Sequence, residues 1–281
     1  MTVRVDAHHH VWRLSRGDYG WLQPSDALAP IYRDFELEEL RPLLAAERIQ
    51  TTVLVQATPT EAETRFLLDV AERSGGLVRG VVGWVDFESA SAIDALAPLA
   101  RNPLLKSVRP MLQDLDDADW IARPDPQRTL AALPQLGVRF DALVKPRNLP
   151  ALLRVLEHHV ELAVVVDHCA KPDIARKGWQ PWAGDLAAIA RHTSAQCKLS
   201  GLVTEAGASW TVDALRPYVD HVLECFGPQR VMWGSDWPVA RLAASYAAWS
   251  AATEALLAGV SLAEQEAIRG GNARRFYGLD E

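Results

Sequence analysis

Three histidines and one aspartate carry the strongest chemical signal in the chain. Asp6-Ala7-His8-His9-His10 closes a short β-branched run near the start, Asp167-His168 closes the run Val164-Val165-Val166, and Ser235-Asp236 closes Met232-Trp233-Gly234. His8 and His10 are two residues apart. On an extended strand they point the same way and His9 the other, which offers two imidazoles to one metal ion or one substrate oxygen. Asp236 supplies a carboxylate that can take a proton from water or hold a metal. Plainer roles exist for each: a solvated histidine cluster, a capped structural histidine, a helix-capping aspartate. Taken jointly, His8, His10, His168 and Asp236 form a candidate catalytic set and a candidate metal-ligand set for activating water.

Other groups that end strands are candidates for binding. Arg109 follows Lys106-Ser107-Val108 and can present a planar guanidinium to a carbonyl or carboxylate, or form a salt bridge at the rim. Lys145 and Arg147 offer similar services. Eight of the ten tryptophans, among them Trp12, Trp21 and Trp237, fall at strand ends or in the loops that follow. Aromatic faces on a rim can stack on the C–H faces of a ring-shaped ligand; the alternative is hydrophobic plugs that anchor loops. His158, His159, His192 and His221 lie on helical stretches and are assigned no chemistry.

What must position these residues is a repeated strand-helix rhythm. Strands are predicted at 3–7, 51–56, 78–85, 106–109, 138–144, 163–167, 196–199 and 230–234. Helices follow each, with start signals such as Asp34 before the Leu37, Leu40, Leu43 and Leu44 face and Thr58 with Glu61 before Phe66, Leu67 and Val70. Ala163-Val164-Val165-Val166 is continuously apolar, as parallel strands covered on both faces require. No GxGxxG follows the first strand and no GxxxxGK[ST] occurs, so the nucleotide signatures of open sheets are missing. The expected fold is α/β, a distorted (β/α)8 TIM-type barrel, with residues 1–281 as one domain. Its catalytic groups would gather at the C-terminal ends of the strands, under the long connection spanning roughly residues 9–33.

Composition narrows the partners. With 29 basic and 36 acidic residues the net charge is −7, and no basic stripe is present, so nucleic acid is not expected. No apolar stretch approaches the ~20 residues of a membrane span, and without a secretion signal the expectation is a cytoplasmic protein. Three scattered cysteines form no CxxC pair, which argues against a disulfide framework or a zinc-thiolate site.

Several segments together resemble the amidohydrolase superfamily, in particular its branch of sugar-lactone hydrolases related to fuconolactonase and, more distantly, to 2-pyrone-4,6-dicarboxylate lactonase. They are Asp6-Ala7-His8-His9-His10-Val11-Trp12, the Asp18-Tyr19-Gly20-Trp21-Leu22 loop, Val144-Lys145-Pro146-Arg147, Asp167-His168-Cys169-Ala170-Lys171-Pro172, Trp233-Gly234-Ser235-Asp236-Trp237-Pro238 and Gly271-Asn272-Ala273. The resemblance spans the chain. It implies that His8 and His10 are the first-strand pair, His168 the sixth-strand histidine and Asp236 the eighth-strand aspartate. Two-metal members of the superfamily carry a bridging lysine or glutamate and a fifth-strand histidine; here that strand ends in Leu143-Val144-Lys145. The resemblance therefore implies at most one divalent metal, zinc for preference, or none.

The expected activity is hydrolysis of a sugar (aldono-) lactone, such as L-fucono-lactone or a related six-carbon lactone, to the open-chain acid, with Asp236 as general base. The alternatives are a metal-dependent decarboxylase of the same superfamily, betrayed by carbon dioxide release from aromatic acids, and a non-catalytic sugar-binding barrel, which would bind lactones without consuming them.

Overall fold

Every predicted strand forms, shortened by one or two residues at most ends. In the computed structural model, which describes residues 3–280, the strands are β1 (Arg4–His9), β2 (Ile49–Val55), β3 (Val78–Gly83), β4 (Leu105–Val108), β5 (Arg139–Ala142), β6 (Val164–Val166), β7 (Gln196–Leu199) and β8 (Val231–Trp233). They lie in sequential order in one parallel sheet. The sheet closes through the residues just beyond β8. His10 N–H donates to the Trp237 carbonyl at 2.7 Å, and Asp236 N–H to that of His8 at 2.8 Å. The result is the distorted (β/α)8 barrel.

The continuously apolar strands sort their side chains by parity. Val165 and Met232 point into the barrel with Val53 and Val55, whereas Val164, Val166, Val231 and Leu54 pack outward against the helices. The same parity turns Asp141, Asp167 and Lys198 inward, since their neighbours Phe140, Ala142, Val166, Cys197 and Leu199 face out. The last helix, Asn272–Tyr277, plugs the bottom: Ala273, Phe276 and Tyr277 join the interior cluster, and Tyr277 O–H reaches Asp141 at 2.7 Å.

The surrounding helices begin with α1 (Leu37–Ala46) and α2 (Glu61–Glu72), and two of the expected starts shift. Asp34 does not cap α1; its carboxylate accepts the N–H of Leu14 inside the long first loop, and Glu36 takes the N-cap position. The cap of α2 is Thr60, which accepts the N–H of Glu63, because Thr58 is occupied in holding the Asp18 carbonyl. Among the described residues no helix is long and apolar enough to cross a membrane.

Candidate active site

A bulge in β1 aims the first two histidines. Asp6 pairs with Thr52 and His9 with Leu54, so three steps on β1 match two on β2. The extra residue turns His8 into the barrel beside Ala7, sends the His9 ring out to Thr52 Oγ1 at 2.9 Å, and returns His10 to the interior. Gly234 makes room for this: a Cβ there would lie 2.6 Å from the Cβ of His8. Asp6 ties the bulge to β8 by accepting the N–H groups of His8 and Ser235 and the hydroxyl of Tyr246.

His168 is held by a backbone that residues with a Cβ rarely adopt. Residues 168–171 are all left-handed, with φ of 53°, 51°, 59° and 50°, and Asp236 is left-handed at 57°. Such conformations cost on the order of 1 kcal/mol or more each. The surroundings compensate: Trp182 donates its indole N–H to the Cys169 carbonyl at 2.7 Å, and Lys171 N–H closes back on the His168 carbonyl. His168 Nδ1 lies 2.9 Å from Ser200 Oγ, and its ring sits where a Cβ on Gly201 would be, 2.7 Å from Nδ1.

The three imidazoles converge on one carboxylate oxygen. Asp236 Oδ1 stands 3.3 Å from Nε2 of His10, 3.7 Å from Nε2 of His8 and 3.9 Å from Nε2 of His168. All four residues are buried. Burial alone would raise the Asp236 pKa, but the neighbouring imidazoles of His168, His10 and His8 outweigh it and hold the carboxyl well below its usual range. Burial lowers His168 to about 4 and pushes His8 well below the ordinary histidine value, so both are neutral near pH 7.

Beneath this cluster lies a denser charge network. Lys198 Nζ is 2.5 Å from Asp141 Oδ2, 3.1 Å from Asp167 Oδ1 and 3.2 Å from His8 Nδ1. Arg109 donates from Nη1 to Asp167 Oδ2 at 3.0 Å and from Nη2 to the Gln56 carbonyl, and Nη1 also lies 3.4 Å from His8 Nε2. Burial works against charge on Asp167, yet Lys198, His8 and Arg109 keep it well below the usual carboxylate range.

His10 provides a test of whether a cation belongs here. Its Nδ1 is 2.8 Å from the Val55 carbonyl, which only accepts, so Nδ1 carries a proton. In the neutral ring Nε2 then directs a lone pair at Asp236 Oδ1, and that contact is attractive only with a proton or a cation between the two atoms. His8, His10 and Asp236 bring ligand atoms within 4.8 Å of one another, and so do His8, Asp167 and His168. The first triad fits a divalent ion better, because Asp167 already serves Arg109 and Lys198. A carbonyl or hydroxyl on the second ring nitrogen, as His10 and His168 have, is what fixes metal-ligating imidazoles.

The cluster opens on a cavity of about 310 Å³ whose lining includes His10, Trp21, Arg109, His168, Lys171 and Asp236, together with Met111 and Gln113. Of the tryptophans expected to face a ligand, Trp21 does so. Trp12 and Trp237 do not: both are buried, Trp12 donating to the Arg33 carbonyl and Trp237 packed at 5.3 Å on Phe35, where they fasten the long first loop. Lys145 and Arg147 also stand off the cavity. Arg147 staples the loop after β4 through the carbonyls of Gln113, Leu115 and Asp116, and Lys145 is exposed. Sequence reasoning left Asp141, Asp167 and Lys198 without roles, although a charged residue inside a short apolar strand was the available signal. Lys171, ion-paired with Glu205 at 3.6 Å, was legible only as part of a motif.

The amidohydrolase family model matches residues 5–279. The chain belongs to the amidohydrolase superfamily. Within it, the chain falls in the fuconolactonase-like branch. An L-fucono-1,5-lactonase of Burkholderia ambifaria is 45% identical over 284 residues, covering 100% of this chain and 97% of the relative. A crystal structure of a Burkholderia multivorans amidohydrolase with bound zinc superposes with a TM-score of 0.91 at 35% identity, covering 99% of each chain. More distantly, a 2-pyrone-4,6-dicarboxylate hydrolase of Comamonas testosteroni is 27% identical over 248 residues, covering 83% of this chain and 76% of the relative.

Proposed function

We propose that this enzyme hydrolyses a six-carbon aldono-lactone to the open-chain sugar acid, with L-fucono-1,5-lactone as the reference substrate. The observation that carries the reading is the convergence of three buried imidazoles on Asp236 at the floor of a cavity of sugar size, in a chain 45% identical to an L-fucono-1,5-lactonase.

Asp236 stays ionised at every physiological pH and accepts the proton of the attacking water. A carboxylate held so far below its usual range is a weak base, so the water must be acidified from elsewhere. A divalent ion held by His8, His10 and Asp236, zinc in the reading we favour, would supply that acidification and polarise the carbonyl. The donor set fits such an ion, as the His10 geometry shows. Water adds to the lactone carbonyl, the tetrahedral oxyanion forms beside the neutral His168 and the Arg109 guanidinium, and the ring C–O bond breaks as the proton held on Asp236 passes to the departing ring oxygen. Water is consumed and one carboxylic acid and one hydroxyl result. Asp167 keeps Arg109 in place, and Lys171 at the cavity wall is available to a substrate hydroxyl.

The test is a pH-indicator assay over a panel of aldono-lactones. Turnover of at least one sugar lactone, with none of aromatic acids, is expected; a panel inert towards every sugar lactone while amides or aromatic acids react would remove the reading.

A further inference from the structure

A second cavity adjoins the catalytic one. It has a volume of about 460 Å³, and three residues, Trp21, Met111 and Asp114, line both. Its own walls are aromatic, built by Trp84, Phe87 and Trp120, and its rim carries Asp18, Asp86 and Glu88. The Phe87 and Trp120 rings lie 6.4 Å apart.

Two indole N–H groups are left for a ligand in this chamber. Trp12, Trp21, Trp182, Trp210, Trp233 and Trp249 all donate to acceptors within the protein. Trp84, Trp120, Trp179 and Trp237 donate to none among the described residues; the Trp237 nitrogen is sealed and Trp179 lies elsewhere, whereas the nitrogens of Trp84 and Trp120 are not sealed and both residues line this chamber. On the rim Asp86 and Glu88 are exposed carboxylates, whereas Asp18 Oδ1 is sealed from solvent and its Oδ2 is engaged by Arg16 and Thr60. Flat apolar faces, free N–H donors and carboxylate acceptors in one cavity are the features that recognise a neutral, hydroxylated ring: its C–H face stacks and its hydroxyls donate and accept. An anionic group would meet the carboxylates, and a purely aromatic one would leave the donors unused.

We propose that this chamber is a second sugar subsite, so that the preferred substrate is an aldono-1,5-lactone bearing a glycosyl unit at the end remote from its carbonyl. The inference rests on the lactonase reading of the adjoining site. In a six-membered lactone the hydroxyl opposite the carbonyl is O4. With the carbonyl at Asp236, a substituent on O4 passes the Trp21–Met111 wall into the chamber. Trp84 and Trp120 then determine specificity, and the reacting groups are untouched.

The test compares the monosaccharide 1,5-lactone that the wild type turns over best with its 4-O-β-glucosyl derivative, in the full-length protein loaded with zinc. The wild type should show a kcat/KM at least tenfold higher for the glucosyl lactone, chiefly through KM. Trp84→Ala should bring the ratio to near one, and Trp84→Phe, which keeps a ring face but loses the N–H donor, should land between. Glu88→Gln, an exposed change on the rim, serves if Trp84→Ala does not fold, and should lower the ratio. A wild-type ratio of one or less overturns the subsite, as does a ratio that Trp84→Ala, Trp84→Phe and Glu88→Gln all leave unaltered. Absence of turnover with any lactone is a separate result: it defeats the lactonase reading, and the subsite falls with it.

Discussion

Two clusters of buried charge lie one above the other in this barrel, and they are built on opposite principles. In the deeper one, Lys198, Asp141, Asp167, Arg109 and Tyr277 contact one another at 2.5–3.1 Å. In the upper one, three imidazoles stand 3.3–3.9 Å from a single oxygen of Asp236, only that of His10 within hydrogen-bond distance, and a cavity opens above them. The deeper cluster is a foundation. The upper one is unfinished in a way that a cation and a substrate oxygen would finish, which is where an active site differs from a structural ion network.

The largest contrast should come from substituting one member of each cluster. Asp236→Asn keeps the shape of the upper cluster but removes its proton acceptor, so kcat on the best lactone should fall by ~100- to 10,000-fold with little loss of thermal stability. Near-wild-type kcat would remove Asp236 from the base role. Lys198→Met should do the reverse in emphasis. It strands Asp141 and Asp167 without their shared cation, and denaturant unfolding should report a loss of about 3–5 kcal/mol. A variant as stable as the wild type would show that the deeper network is not a foundation.

Glu63 sharpens the comparison from a third direction, as a buried carboxylate with no ion pair among the described residues. It accepts the N–H groups of Ala57 and Thr58 beside the mouth, faces Tyr19, and burial raises its pKa to about 7 from an ordinary 4.5. Between those values the folded state binds more protons than the unfolded one. The associated stability is therefore complete below about pH 4.5 and is lost as pH rises through about 7. Glu63→Gln should remove this loss, on the order of 3 kcal/mol, and flatten that part of the stability profile. Parallel unfolding profiles for the two proteins between pH 4 and 8 would contradict it.

Much of this was readable in the chain because parity and strand ends do most of the positioning. Eight apolar runs, most of them closed by a polar residue, define both the barrel and the ring of groups at its mouth, where His8, His10, His168 and Asp236 come together. The bulge that turns His8 inward leaves no mark in the residues themselves; it follows from how Asp6 and Gly234 lock β1 to the end of β8. The tryptophans misled for a related reason. A strand-end position places an indole near the mouth but does not say whether it faces the ligand, as Trp21 does, or fills the space under a loop, as Trp12 and Trp237 do. Arg147 shows the same ambiguity, since it lies in the 3₁₀ turn Pro146–Asn148 and donates to the carbonyls of Gln113, Leu115 and Asp116 instead of entering the cavity.

The claim that the upper cluster is completed by one cation is tested most directly by metal analysis of the purified enzyme, alongside lactone turnover, for the wild type and for Asp236→Asn. The account predicts one equivalent of divalent metal per wild-type chain, lost on chelation together with turnover, and a sharply reduced metal content in folded Asp236→Asn. Two equivalents per chain, or full lactone turnover by wild-type enzyme stripped of metal, would contradict it.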